Sequence, residues 1–322
     1  MANVALRGGS TGFYGLFLKP AGYNDGYAFA DYKTQIDRCR FLGANFVVFW
    51  GDVRSTVGGY GDLTRYIVQR REVVEYIAGQ GMYCLSYASY NPNAWDSGLG
   101  ATYGVTNAQA ITVMTADAAM QSAYPHVIGY VTMDEPYLSS WSDATVAANA
   151  AAQYSSIKAV VATDFPICAN PYGHGGDIFD YTGAYKTEID GTAPYCDFFA
   201  FHPLYGTYAQ SNSAALRAAY PGKEIIMPSA AMAVEGDATV TARMASVAGL
   251  IGTNGFRGFA YWVAQDFDAN TWGMFDSGWA ERATKTAAFR ACLPNPVTYY
   301  PHGHVGASGG GGLPVFAPWS AL

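Results

Sequence analysis

Short runs that are apolar on both faces alternate along this chain with longer stretches whose apolar residues recur every three or four positions. The first kind reads as buried strand and the second as amphipathic helix. Eight such pairs follow one another. The expected strands are Phe13–Leu18, Asn45–Trp50, Met82–Tyr87, Val127–Met133, Phe165–Ala169, Asp197–His202, Glu224–Ser229 and Gly258–Val263. Their helices are expected over about Ala30–Leu42, Leu63–Ala78, Asn107–Ser122, Ser142–Val161, Asp177–Glu188, Ser211–Ala219, Ala238–Gly249 and Trp279–Cys292, with Gly79 and Gly81 stopping the second and Ser142 capping the fourth.

Strands such as NFVVFW, EIIM and GFAYWV carry no polar face, so both sides must be covered. Eight consecutive strand–helix units in 322 residues suit a single closed (β/α)8 TIM barrel, which needs roughly 250 residues, better than an open doubly wound sheet. No glycine fingerprint follows the first strand and no P-loop occurs. The barrel is expected over residues 1–292. Residues 293–322 contain no Asp, Glu, Lys or Arg, carry GASGGGG at 306–312 and end in LPVFAPWSAL. They read as a Gly/Pro-rich C-terminal arm whose Val315, Phe316 and Trp319 must dock, either on their own barrel or on an assembly partner.

Charged residues make up 13% of the chain and the net charge is −7, without the clustered Lys and Arg that a nucleic-acid partner requires. Arg70 and Arg71, beside Glu72 and Glu75, are expected on a solvated helix face. The five cysteines are scattered, with no CxxC, so buried thiols are expected rather than a disulfide framework or a zinc site. No cofactor or metal is expected: neither HxH nor HExxH falls at a strand end. The N-terminus lacks the apolar core of a signal peptide, and no apolar run reaches the roughly 18 residues of a membrane span. The expectation is a protein made in the cytoplasm that reaches other compartments by lysis or as part of a virion.

The chemistry of such a barrel belongs at the C-terminal ends of its strands. Strand four ends in VIGYVTMDEPYL, where Asp134 and Glu135 stand side by side before Pro136. Adjacent acids at an apolar strand end raise one another's pKa, which is what a general acid near neutral pH needs. This strand-four ending resembles the Asn-Glu-Pro acid/base motif of the clan A (β/α)8 glycoside hydrolases, in an Asp-Glu-Pro variant. The resemblance implies a glycosidase in which Glu135 is the acid/base and Asp134 tunes it. It also implies a nucleophilic Glu at the end of strand seven, where this sequence has Pro228 and Ser229 instead. Glu235, on the loop that follows, Asp266 past strand eight, and Asp52 after strand two remain as candidates for the second carboxylate. A separation of about 5 Å would imply retention, and about 6.5–9.5 Å inversion.

Aromatic residues gather at the same ends. Trp50, Tyr87, Trp95, Tyr205, Trp262 and Trp272 could pack on the C–H faces of sugar rings, and His202 could orient a hydroxyl. Trp262 also resembles the aromatic platform of those hydrolases. The expected partner is a polysaccharide or cell-surface glycan. The alternative is a structural or adhesive component of a larger assembly, such as a phage virion or tail, in which an altered barrel binds glycan without cutting it.

Overall fold

The computed structural model describes residues 4–18, 28–52, 63–89, 107–133, 142–169, 181, 183–200, 209–230, 236–262, 264–266 and 273–301. Within these residues strands and helices alternate as the periodicity dictates. The strands are β1 (Phe13–Phe17), β2 (Phe46–Asp52), β3 (Tyr83–Ser89), β4 (Val127–Val131), β5 (Ile167–Cys168), β6 (Phe199–Ala200), β7 (Ile225–Ala230) and β8 (Phe256–Trp262). The helices are α1 (Phe29–Phe41), α2 (Leu63–Gly79), α3 (Asn107–Ser122), α4 (Asp143–Lys158), α5 (Gly183–Thr192), α6 (Ala209–Ala219), α7 (Gly236–Ala248) and α8 (Ala283–Ala291). All strand pairs are parallel, in the order β5-β4-β3-β2-β1-β8-β7-β6. The first and last strands of the chain are therefore neighbours, which makes this a (β/α)8 TIM barrel with its seam between β5 and β6.

Side chains alternate between the barrel interior and the helix layer, as the period of two requires. On β4, Tyr130 reaches Asp117 of α3 (2.9 Å) and Thr132 reaches Gln153 of α4 (2.6 Å), so Gly129, Val131 and Met133 take the inward parity. On β2, Phe49 packs edge-on against Tyr32 of α1, which leaves Val48 and Trp50 inward. The interior interleaves large and absent side chains. Phe13 of β1 meets Phe46 and Tyr83 at 5.5 and 5.3 Å. Gly258 of β8 gives way to it: a Cβ there would lie 2.5 Å from the Cβ of Phe13. Interiors pack at crystal-like density, so this glycine sets how closely β1 and β8 approach.

Residues 6–7 and 298–300 seal the pole at which the strands begin. Leu6 is buried; its N–H donates to Glu224 (2.6 Å), and Arg7 N–H donates to Ile128 O (3.1 Å). A Cβ on Gly129 would meet Phe198 at 2.8 Å and Leu6 at 3.2 Å, which places Leu6 in the barrel floor. From the other terminus, Thr298 O accepts from Asn45 (2.7 Å), Tyr300 N–H donates to Gly81 O (2.8 Å) and Tyr299 OH donates to Gly43 O (3.0 Å). Residues 298–300 thus dock on the barrel's own floor. The rest of the arm, 302–322, lies outside the described residues.

Three expectations are corrected. Helix five runs later than 177–188, over Gly183–Thr192; a 3-10 turn at Ala193–Tyr195, with Pro194 in its first turn, then ends it. Helix eight starts at Ala283 rather than Trp279, because residues 276–280 form a turn first. Asp276 accepts there from the N–H groups of Gly278 and Ala280, and Trp279 takes a left-handed φ of 68°. Finally, Arg70 is not solvated but 2% exposed. On α2 the buried residues are Tyr66, Arg70, Val73, Val74, Ile77 and Ala78, which puts Arg70 on the helix's apolar stripe. The expected cap at Ser142 is present, accepting from Thr145 N–H at 3.3 Å. Among the described residues no helix is long and apolar enough to cross a membrane.

Candidate active site

The mouth of the barrel is bounded by strand ends held in register. Trp50, Gly51 and Asp52 of β2 lie level with Tyr87, Ala88 and Ser89 of β3, and Tyr87 lies level with Val131 of β4. On the other side Ala230 of β7 is level with Trp262 of β8. The backbone therefore brings the ends carrying Trp50, Asp52, Tyr87 and Trp262 to one rim. Trp50 is nearly buried and Tyr87 wholly so, with its ring 6.0 Å from Phe17. Tyr87 belongs to the topmost packed layer beneath the mouth. The side chains of Asp52 and Trp262 lie outside the described residues, as do Trp95, Asp134, Glu135, His202, Tyr205, Glu235 and Trp272 entirely.

Strand β4 delivers the chain to Asp134-Glu135-Pro136 along a heavily anchored path. Thr132 N–H donates to Cys168 O (3.1 Å), and its hydroxyl bonds Gln153 (2.6 Å) and Ala169 O (3.2 Å). Thr132, Gln153 and Met133 are all fully buried. Thr132, two residues before the acidic pair, is thus fixed to both β5 and α4.

Asp266 is placed just beyond β8 and is already engaged. Its carboxylate forms an ion pair with Arg282 (2.6 Å to Nη2) and accepts from the N–H of Gly273 (2.8 Å). These bonds tie the segment after β8 to the start of α8. Glu224, at the opposite end of β7, pairs with Arg257 and holds Leu6, so its role is in the floor.

Below the rim lies a polar network that reading the sequence by residue type missed. The Arg70 guanidinium bonds Asp117 (3.0 Å from Nε to Oδ1), Ser86 Oγ (2.5 Å) and the carbonyl of Tyr87 (3.2 Å). Asp117 also accepts from Gln121 (2.9 Å) and Tyr130 (2.9 Å). Burial works against the Arg70 charge, but the adjacent Asp117 outweighs it and holds the pKa above its ordinary value. The network clamps α2 and α3 to β3, which carries Tyr87, and to β4, which precedes the acidic motif in the chain. Spacing alone could have flagged Arg70, because it falls on the apolar stripe of its helix. In the helix layer, Glu188 of α5 is pushed up to about 7, by burial first and then by Asp143 of α4. Among the described residues no group of three or more His, Cys, Asp or Glu is arranged to hold a metal ion.

No family model matches the sequence, and no curated protein matches it significantly. Solved structures do. An endocellulase from Pyrococcus horikoshii in complex with cellotetraose is similar over 87% of this chain and 92% of its own, with a TM-score of 0.62 at 13% identity. The catalytic domain of the major endoglucanase from Xanthomonas campestris pv. campestris is similar over 88% of this chain and 94% of its own, with a TM-score of 0.57 at 17% identity. A GH5_18 protein from Streptomyces cattleya in complex with GlcNAc is similar over 89% of this chain and 80% of its own, with a TM-score of 0.66 at 11% identity. At these identities the likeness is one of fold. The chain shares the (β/α)8 barrel of these solved structures.

Proposed function

We propose that the protein is a glycoside hydrolase that cleaves a polysaccharide with a pair of carboxylates at the barrel mouth. Glu135 protonates the departing glycosidic oxygen, Asp134 tunes it, and Glu235 is the second carboxylate. The reading rests on one observation above the others. The strand leading into Asp134-Glu135-Pro136 is β4, in a barrel whose structural neighbours include an endocellulase and an endoglucanase. Asp266 recedes as the partner acid because Arg282 and Gly273 already satisfy it, and a carboxylate so bonded is a poor nucleophile. Glu235 comes immediately before Gly236, the first residue of α7, in the connection that follows β7. Trp50, Trp95, Trp262 and Trp272 would offer ring faces to the sugars, and His202, Tyr205 and Asp52 would bond their hydroxyls.

The test begins with a screen of cell-surface and storage polysaccharides for release of reducing ends. On the glycan that is cut, Glu135→Gln is expected to lower the rate by at least about 10²–10⁴-fold, the scale of a lost general acid. Full activity in that variant, with the same thermal midpoint as the parent, would end the proposal.

A second reading has its own support. The last described residues, 298–301, sit at the floor, on the pole opposite the mouth. An anchor built from the uncharged segment that follows would leave the cleft facing outward, as suits a glycan-binding component of a virion or tail. Removing residues 306–322 is then expected to abolish a multimer seen by light scattering. The same monomeric mass with and without those residues would count against an assembly role.

A further inference from the structure

The seam of the barrel is closed by an unusual piece of backbone. Strands β5 and β6 are the two ends of the sheet order, and the segment just before β6 turns back antiparallel to β5. Asp197 N–H donates to Ile167 O (2.7 Å) and Ala169 N–H donates to Tyr195 O (3.2 Å). These two bonds flank Cys168 and Cys196, which face each other across the bridge. The pair therefore occupies a non-hydrogen-bonded antiparallel site, where Cα atoms stand about 4.5 Å apart and side chains approach most closely. That spacing lies inside the roughly 4.4–6.8 Å range of a disulfide. The two sulfurs are 3.8 Å apart, and both residues are buried.

The surrounding groups hold this geometry in place. The Asp197 carboxylate accepts from Ile167 N–H (2.9 Å) and Tyr154 OH (2.9 Å) and pairs with Lys158 (2.8 Å). Lys223 Nζ donates to the carbonyl of Cys196. Both sides of the cysteine pair are thus fixed to helices or to the next strand, and no backbone movement is needed to join the sulfurs.

We propose that Cys168 and Cys196 form an oxidisable dithiol, a modification site at which a hydroperoxide generates an intramolecular disulfide that staples the β5–β6 seam. One thiolate attacks the peroxide; the O–O bond breaks, an alcohol leaves (water, for hydrogen peroxide), and a sulfenic acid remains. The second sulfur then attacks that sulfur, the S–O bond breaks and the hydroxyl departs as water with the second thiol's proton. The thiols lose two electrons and the peroxide gains them. Because both sulfurs are buried, the reaction waits on local opening. The seam is where that opening is easiest, since β5 and β6 are two residues each and, among the described residues, share no parallel ladder. The closed ring would hold residues 168–196, all but the last two residues of the connection from β5 to β6, so oxidation restrains one side of the mouth. This inference is independent of which carboxylates act in the cleft.

The full chain would be exposed to hydrogen peroxide, with and without urea held below the unfolding transition, then alkylated in denaturant and digested. The alkylatable thiols are expected to fall from five to three. A cross-linked peptide pair holding Cys168 and Cys196 should appear, about 2 Da lighter than its two halves, and dithiothreitol should dissolve it. The oxidised protein should melt about 5 °C higher than the reduced one. Cys168→Ser and Cys196→Ser should each form no cross-link and show no such rise. Recovery of both cysteines alkylated, as sulfinic or sulfonic acids, or joined to a different cysteine would overturn the proposal.

Discussion

Asp117→Ala is expected to destabilise the protein by about 3–5 kcal/mol, the cost of leaving a buried charge without its partner. Arg70 and Asp117 are both essentially removed from water, and their pairing is supported by Ser86, Gln121, Tyr130 and the carbonyl of Tyr87. Loss of the carboxylate strands the guanidinium against the rings of Phe49 and Tyr66, takes away the acceptor of Gln121 Nε2 and leaves Tyr130 OH only the longer bond to Met114 O (3.3 Å). The remedy distinguishes charge from volume. Arg70→Met combined with Asp117→Leu should recover most of the loss, because a buried ion pair replaced by apolar groups of similar size is often neutral. Urea denaturation of the two single variants and the double variant would measure this. If Asp117→Ala costs less than about 1 kcal/mol, the network is not the clamp described above.

The second large effect is a loss of stability in acid that depends on His126. This residue immediately precedes β4 in the barrel floor and is fully buried. Its Nε2 bonds Val74 O (2.9 Å), and its ring lies against Tyr124 and Tyr300. Burial pulls its pKa down to about 4, while the bond to Val74 works weakly in the opposite direction. The fold therefore favours the neutral ring. The stabilisation is complete above the unfolded value of about 6.5 and is lost as the pH falls through about 4, amounting to about 3 kcal/mol overall. Between pH 7 and pH 4.5 the parent should lose about 2–3 kcal/mol more than His126→Gln, since every carboxylate contributes equally to both. Equal losses in the two proteins would show that His126 ionises freely in the folded state. Tyr300 belongs to the docked C-terminal segment, so the floor should loosen with this protonation, and protection of the Tyr300 amide from hydrogen exchange should fall in the parent alone.

The fold was legible because burial on both faces leaves no ambiguity of period. Phe46–Trp50 and Phe259–Trp262 cannot face solvent on either side, so helices must cover them, and eight repeats of that pattern close a barrel. Boundaries were less legible where propensity competes with tertiary contacts. Trp279 reads as the start of an amphipathic helix, yet the Asp276 turn holds it at a positive φ. Helix five was shifted toward the chain's N-terminus because neither its start nor the following 3-10 turn carries a strong cap signal. Arg70 reads as solvated by residue type, but its position on the apolar stripe of α2 buries it.

The candidate site divides in the same way. The motif Asp134-Glu135-Pro136 and its strand are read from local sequence, and so are the aromatic residues at the strand ends. A partner acid belongs to another strand or loop, and nothing local in Glu235, Asp266 or Asp52 ranks one above another. Only the ion pair with Arg282, sixteen residues further along, shows that Asp266 is already occupied.

By itself the sequence determined the alternation of strand and helix and the barrel that follows from it, because these depend on short-range periodicity and on the hydrophobic effect. The tertiary structure alone decided that residues 6–7 and 298–300 seal the floor, that Arg70 and Asp117 join two helices beneath the rim, and that Cys168 meets Cys196 at the seam. Those are meetings between residues far apart in the chain, and their partners exist only once the barrel has closed.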